Sequence, residues 1–156
     1  MANQFESKVA LVTGGNSGIG RAVALAFAKA GAKVVVAARR VPEGEATVAM
    51  INDLGGDAHF VKTDVSDINA VKAMIAACIA KYGGLDYAIN NAGIEGTPLT
   101  QTAEYEEKVW DKVIDINLKG VWLCMKYEIP ELLKRGQGAI VNMSSLAGLR
   151  GGPFGV

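Results

Sequence analysis

Short apolar runs alternate with amphipathic stretches from one end of the chain to the other. Continuous apolar runs of this length are typical of parallel strands that are buried on both faces. The pattern predicts five strands, at residues 9–12, 34–37, 58–62, 85–89 and 139–143.

The stretches between these runs have helical spacing and helix-ending signals. Helices are predicted at 18–30, from about Pro42 to before Gly55, and at 68–82, with Gly31 and Gly83 as C-terminal stops and Asp67 as an N-cap. After a polar loop, a fourth helix is predicted with apolar residues on one side, at Val109, Trp110, Val113 and Ile114. A fifth helix is predicted at 118–134.

This alternation predicts an α/β fold with a doubly wound parallel sheet, because repeated strand–helix units require right-handed crossovers. The expected strand order is 3-2-1-4-5, incomplete at its C-terminal side, in one domain that covers residues 1–156. A ligand crevice is expected at the carboxyl ends of the strands, where the strand order reverses.

Composition narrows the possible partners. Sixteen basic and sixteen acidic residues cancel, and no basic patch is visible, which argues against a nucleic-acid partner. No apolar segment reaches signal-peptide or membrane-spanning length. Cys78 and Cys124 lie in helical patterns and are expected to be buried free thiols, so we expect a cytoplasmic protein without a metal site.

A glycine-rich turn directly follows the first predicted strand and opens the first predicted helix. Its glycines have the spacing Gly-x-x-x-Gly-x-Gly, within Thr13, Gly14, Gly15, Asn16, Ser17, Gly18, Ile19 and Gly20. Gly14 allows a tight turn, Gly18 lets a phosphate approach the backbone, and Gly20 allows close helix packing. Because helix N-termini present free amides, we expect this turn to bind the pyrophosphate of a dinucleotide.

Residues 13–20 resemble the glycine motif of the short-chain dehydrogenases/reductases. Further landmarks follow in the order of that family and extend the resemblance over the whole chain; they are Asp64 and Val65, then Asn90, Asn91, Ala92 and Gly93, then Asn117, then Asn142, Met143, Ser144 and Ser145. The resemblance implies a Rossmann fold, a nicotinamide cofactor, an alcohol or ketone as substrate, and a homo-oligomer, either a dimer or a tetramer.

The residues at the end of the second predicted strand indicate whether the cofactor carries a hydroxyl or a phosphate at the 2′ position of its ribose. NAD-binding units usually place a carboxylate here, but this chain has Ala38 followed by Arg39 and Arg40. Arg39 is placed to offer its planar donors to a 2′-phosphate, and in the family a small residue followed by Arg usually accompanies NADP(H). The alternative, two solvated surface charges, leaves the missing acid unexplained. We therefore expect NADP(H) rather than NAD(H).

The resemblance also assigns roles along the cofactor. It places Asp64 and Val65 at the adenine, as an acceptor for the exocyclic amine and a wall of the ring. It implies that Asn90 faces the cofactor, that Asn91 ties the sheet together, and that Gly93, after Ala92, leaves room for the ribose. An alternative for Asp64 is an acid favoured by a helix N-terminus.

Two catalytic residues are implied by the same resemblance. Asn117 would hold a water that leads to a catalytic lysine, although its amide could instead bond the backbone. Ser145 would bind the substrate oxygen, and Ser144 is the weaker candidate because alternate residues of a strand point to opposite faces.

The acid of the family is a tyrosine of a Tyr-x-x-x-Lys motif, tuned by the lysine charge. That motif should begin just beyond Val156, and none of the tyrosines present begins it. We therefore expect the 156-residue chain alone to be inactive and the longer protein to interconvert secondary alcohols and ketones. The alternative is a non-catalytic dinucleotide-binding or interaction module. A methyltransferase-like fold is disfavoured, since Asn117 and Ser145 have no role there.

Overall fold

A computed structural model describes residues 4–148 of the chain. Five parallel strands form one sheet with the order β3-β2-β1-β4-β5, which confirms the predicted topology. The strands are β1 (Val9–Thr13), β2 (Lys33–Ala38), β3 (Asp57–Lys62), β4 (Tyr87–Asn90) and β5 (Ala139–Asn142). The helices are α1 (Gly18–Lys29), α2 (Val41–Asp53), α3 (Ile68–Tyr82), α4 (Glu107–Ile114) and α5 (Gly120–Lys134).

The core lies on both faces of the sheet. Every residue of β1 is buried, and its side chains alternate between two apolar clusters. Val9 and Leu11 pack with residues of α3 and α5, whereas Ala10 and Val12 pack with residues of α1 and α2. The continuous apolar character of this strand follows from burial on two sides, as predicted.

The first three helices end as the sequence predicts. Asp67 caps α3 through a hydrogen bond that its carboxylate accepts from the Asn69 amide, and Gly83 ends that helix in the left-handed conformation. The thiols of Cys78 and Cys124 are free and buried in the core, as expected. Within residues 4–148, no helix is both long and apolar enough to cross a membrane.

Most strand ends lie within one residue of the prediction, and two features differ more. β4 begins at Tyr87 rather than at residue 85, because the Asp86 carboxylate accepts a hydrogen bond from the Val9 amide at 2.9 Å. The fourth and fifth predicted helices are continuous, joined by a π-helical segment at Asp115–Lys119. α4 itself contains no buried residue, and Trp110 is 44% exposed, so its apolar side is only partly covered.

Candidate functional site

A cavity of about 570 Å³ opens at the carboxyl ends of β1, β2, β3 and β4. This is the edge where the sequence predicts a crevice, and the volume lies in the range of ligand sites. Its walls contain the predicted site residues Gly14, Asn16, Ser17, Ala38, Arg39, Asp64, Val65, Ala92 and Gly93. The remaining predicted residues, namely Gly18, Ile19, Gly20, Asn90, Asn117 and Ser145, lie outside this lining.

Two glycines of the turn, Gly14 and Gly20, lie where neighbouring atoms leave no room for a side chain. Gly14 has φ +65°, and a Cβ atom at Gly20 would collide with the Gly14 carbonyl and the Asn91 side chain. Gly20 therefore packs against the turn and the end of β4. The sequence predicted close packing for Gly20 but did not identify this partner.

Asn91 and Thr13 hold the turn to the sheet. The Asn91 amide group donates to the carbonyls of Thr13 at 3.1 Å and Gly14 at 3.4 Å. In return, the Thr13 hydroxyl accepts from the backbone amides of Asn91 at 3.0 Å and Ala92 at 3.1 Å. Sequence reasoning anticipated the tie made by Asn91 and missed Thr13, whose signal is a hydroxyl at the end of an otherwise apolar strand.

The N-terminus of α1 faces the same region with unsatisfied amides. Its N-cap residue, Ser17, makes no side-chain cap hydrogen bond, and the first turn contains no acidic residue. A Cβ atom at Gly18 would meet nothing within 4 Å, so the backbone there is open to approach. Free amides and the positive end of the helix dipole suit this turn to an anionic group.

The two arginines after β2 have different surroundings. Arg40 forms an ion pair with Glu43 at 3.3 Å and donates to the Ser17 hydroxyl at 3.2 Å. With its amide oxygen directed at Arg40, Asn16 accepts from Arg40 Nη2 at 2.9 Å and Nε at 3.1 Å. Arg39 is exposed on the cavity wall, and no hydrogen bond or ion pair between residues 4 and 148 involves its side chain. Arg39 is therefore the cation available to a ligand.

Asp64 and Val65 form the wall that follows β3. Burial opposes ionisation of the Asp64 carboxyl, but hydrogen bonds from Ser66 and the charges of Arg39 and Lys112 outweigh it. The pKa of Asp64 is consequently lowered, and the carboxylate stays ionised as an acceptor. Its Oδ1 accepts from the Ser66 hydroxyl at 2.7 Å, while Val65 adds a buried apolar side chain.

The side chain of Asn90 is bonded inside the protein, and the expectation that this residue faces a cofactor stays a prediction. The side chain is buried, and its Nδ2 donates to Glu128 Oε2 and to Asn142 Oδ1, both at 3.0 Å. The buried carboxyl of Glu128 draws the amide toward α5. Sequence reasoning missed Glu128, although its place four residues from both Cys124 and Leu132 puts it on the apolar face of α5.

Asn117 fastens the loop after β4 to the π-helical segment. Its Oδ1 accepts from the Ile94 amide at 2.9 Å, and its Nδ2 donates to the Ile94 carbonyl at 2.8 Å. The structure thus shows the backbone-bonding alternative, and the role toward a lysine remains a prediction. Ser145 is exposed just after β5, where its hydroxyl accepts from the Ala147 amide at 3.2 Å. The expected Tyr-x-x-x-Lys position lies outside the described residues.

Comparison with protein families and solved structures places this geometry among known proteins. The family model described as short chain dehydrogenase matches residues 8–156. A 3beta-hydroxysteroid dehydrogenase of Mediterraneibacter gnavus is 49% identical over 150 residues, which cover 96% of this chain and 54% of that protein. A cyclohexanol dehydrogenase of Acinetobacter sp. is 42% identical over 97% of this chain and 60% of that protein.

Two solved structures share the fold. NAD+-bound xylitol dehydrogenase superimposes with a TM-score of 0.93 and 29% identity, over 97% of this chain and 58% of that one. Levodione reductase gives a TM-score of 0.91 and 36% identity, over 94% and 57% of the respective chains. The chain thus spans somewhat more than half the length of the relatives that it matches.

Proposed function

The chain belongs to the short-chain dehydrogenase family, a family of oxidoreductases, and from this we propose that its cavity binds NADP(H) in preference to NAD(H). We further propose that the full-length protein interconverts a secondary alcohol and a ketone. The names of the hydroxysteroid and cyclohexanol dehydrogenases support this substrate class. When bound, the nicotinamide supplies or accepts the hydride.

The observation that carries the cofactor proposal is the unpaired Arg39 beside the glycine turn. The turn fits a pyrophosphate, because the backbone at Gly18 is open to approach and no side chain caps the N-terminus of α1. At the tip of β2, Arg39 stands where a carboxylate would select a ribose 2′-hydroxyl. One solved relative holds NAD+, so the preference for NADP(H) rests on the β2 tip of this chain.

For catalysis we propose that Ser145 binds the substrate oxygen and that Asn117 holds a water that leads to a catalytic lysine. Neither residue moves a proton at neutral pH, so the reaction also needs a general acid, for which the family uses the tyrosine of Tyr-x-x-x-Lys. The same reasoning predicts that a polypeptide of residues 1–156 alone does not reduce ketones.

A second candidate function is a non-catalytic dinucleotide-binding module. The observation in its favour is that both candidate catalytic residues, Asn117 and Ser145, lie outside the lining of the cavity. Reading the full-length sequence for Tyr-x-x-x-Lys separates the two functions.

We also propose a cytoplasmic location, because buried free thiols suit a reducing compartment.

We propose that the protein forms a homo-oligomer, a dimer or a tetramer, through the exposed apolar face of the α4–α5 helix. Large apolar side chains remain exposed along this helix, at Trp110, Leu118, Trp122, Ile129 and Leu133. An apolar face of this kind favours association.

In sedimentation of the full-length protein, we expect wild type to run as a dimer or tetramer and Trp122→Glu to shift it toward monomer. Leu99→Glu, which changes an exposed apolar residue of the polar loop after β4, is the matched control and should leave the sedimentation unchanged. A wild-type monomer at tens of micromolar would contradict the proposal.

A further inference from the structure

A buried carboxyl group joins three elements below the site. Glu128 on α5 is fully buried, and its Oε2 accepts from Asn90 Nδ2 at the end of β4. The same Asn90 nitrogen donates to Asn142 Oδ1 at the end of β5. The backbone continues from Asn90 into the cavity wall and from Asn142 to Ser145, so this cluster lies beneath both parts of the proposed site.

The hydrogen bonding of this cluster is incomplete if Glu128 is a carboxylate. Among the described residues, the buried side-chain oxygen and nitrogen atoms that lack a partner are Asn90 Oδ1 and Glu128 Oε1. They belong to two side chains that are already bonded to each other. Both are acceptors, so a single proton on Oε1 would supply the missing donor, and buried polar groups are rarely left unpaired.

In the part of the chain that the structure describes, no cation forms an ion pair with Glu128. The titratable groups that face it are the thiols of Cys124 on its own helix and Cys78 on α3. The charges of Asp86, Glu131 and Arg135 also act on Cys78. A buried carboxylate without a cation is costly, and a neutral carboxyl group avoids that cost.

We propose that Glu128 is a positioning residue that is held as a neutral carboxylic acid, donating from Oε1 to Asn90 Oδ1 while it accepts from Asn90 Nδ2. This two-point pair fixes the Asn90 amide, which in turn holds Asn142 and so sets the ends of β4 and β5 relative to each other. The protonation of Glu128 stands on the cluster alone, whereas its effect on catalysis rests on the proposed function.

The titration of this cluster has a defined direction. Burial raises the pKa of Glu128 from its ordinary value of 4.5 to about 7, against the opposing hydrogen bond from Asn90. Between these two values the folded state holds a proton that the unfolded chain has released, so stability falls as pH rises through this window. Burial likewise raises the pKa of both thiols to about 12, so they remain neutral throughout it.

The test compares Glu128→Gln with Glu128→Leu in the full-length protein. Gln reproduces the acceptor and the donor of the neutral acid, whereas Leu removes both. Melting temperatures are measured without cofactor or substrate at about pH 5 and about pH 8, so that a failure of the proposed function does not affect this reading. All other titrating groups are the same in wild type and Glu128→Gln. The pH dependence of the difference between their melting temperatures therefore reports the titration of Glu128 alone.

At the lower pH, Glu128→Gln should melt like wild type and Glu128→Leu several degrees lower. As pH rises, wild type should lose stability relative to Glu128→Gln.

In turnover assays Glu128→Gln should keep wild-type kcat and Glu128→Leu should lose it with little change in the affinity for NADPH. A wild-type-to-Gln difference that does not vary with pH, or a Gln variant as unstable as Leu at the lower pH, would overturn the neutral acid. A Leu variant with wild-type kcat would overturn the positioning role.

Discussion

Replacing Ser145 by Ala in the full-length protein is expected to lower kcat by about 10²–10³-fold, the effect of losing one donor to a developing oxyanion. Ser145 follows β5 and lies outside the lining of the cofactor cavity. The affinity for NADPH should therefore be unchanged, and the loss should fall on the chemical step. Steady-state reduction of a cyclic ketone that wild type accepts, beginning with cyclohexanone, measures both quantities.

Ser144→Ala provides the matched control for that experiment. Ser144 is the neighbouring exposed serine, and its side chain is expected to point away from the substrate. It should retain nearly all of the wild-type kcat. A large loss in Ser144→Ala together with wild-type turnover in Ser145→Ala would contradict the assignment and would exchange the roles of the two serines.

Replacing Arg39 by Ala is expected to weaken NADPH binding by about 1.5–3 kcal/mol, the range for a hydrogen bond to a charged group. This corresponds to a roughly 10- to 150-fold higher Kd. NADH lacks the 2′-phosphate, so its affinity should hardly change. The difference between the two cofactors, measured by calorimetric titration, separates recognition of the phosphate from general damage to the cavity.

Lys62→Ala is the control for charge. Lys62 ends β3 beside the tip of β2, and it does not line the cavity. Its removal changes the net charge by the same amount as Arg39→Ala, and exposed charges interact weakly at a distance in salt. Equal losses of NADPH affinity in the two variants would show that the effect comes from the overall positive charge of the protein surface and that Arg39 makes no specific contact.

The sheet and the glycine turn could be predicted because local sequence determines them. The first four residues of β1, Val9 to Val12, are apolar because the strand is buried on both faces, and no helix pattern competes with them. A glycine that follows a turn, such as Gly20, signals close packing. Its contact with Asn91, however, joins residues far apart in the chain, and a spacing pattern carries no information about such a partner.

The side-chain network required the structure. The sequence singled out Arg39 for the ligand, but only the structure shows that Arg40 is bound by Glu43 of α2 and by Asn16 of the glycine turn. The spacing of Glu128 places it on the apolar face of α5, but its partner on β4 is seen only once the helix is packed against the sheet. Its hydrogen bond with Asn90 joins residues far apart in the chain, so no spacing pattern could reveal it.

Binding of a nicotinamide dinucleotide at the glycine turn is the central claim, and direct titration of the full-length protein with NADPH and NADH tests it. We expect saturable binding of both with NADPH the tighter ligand, because both share the pyrophosphate held by the α1 amides and only NADPH adds a group for Arg39. Absence of binding by either dinucleotide would contradict the account, and tighter binding of NADH would contradict the assigned role of Arg39.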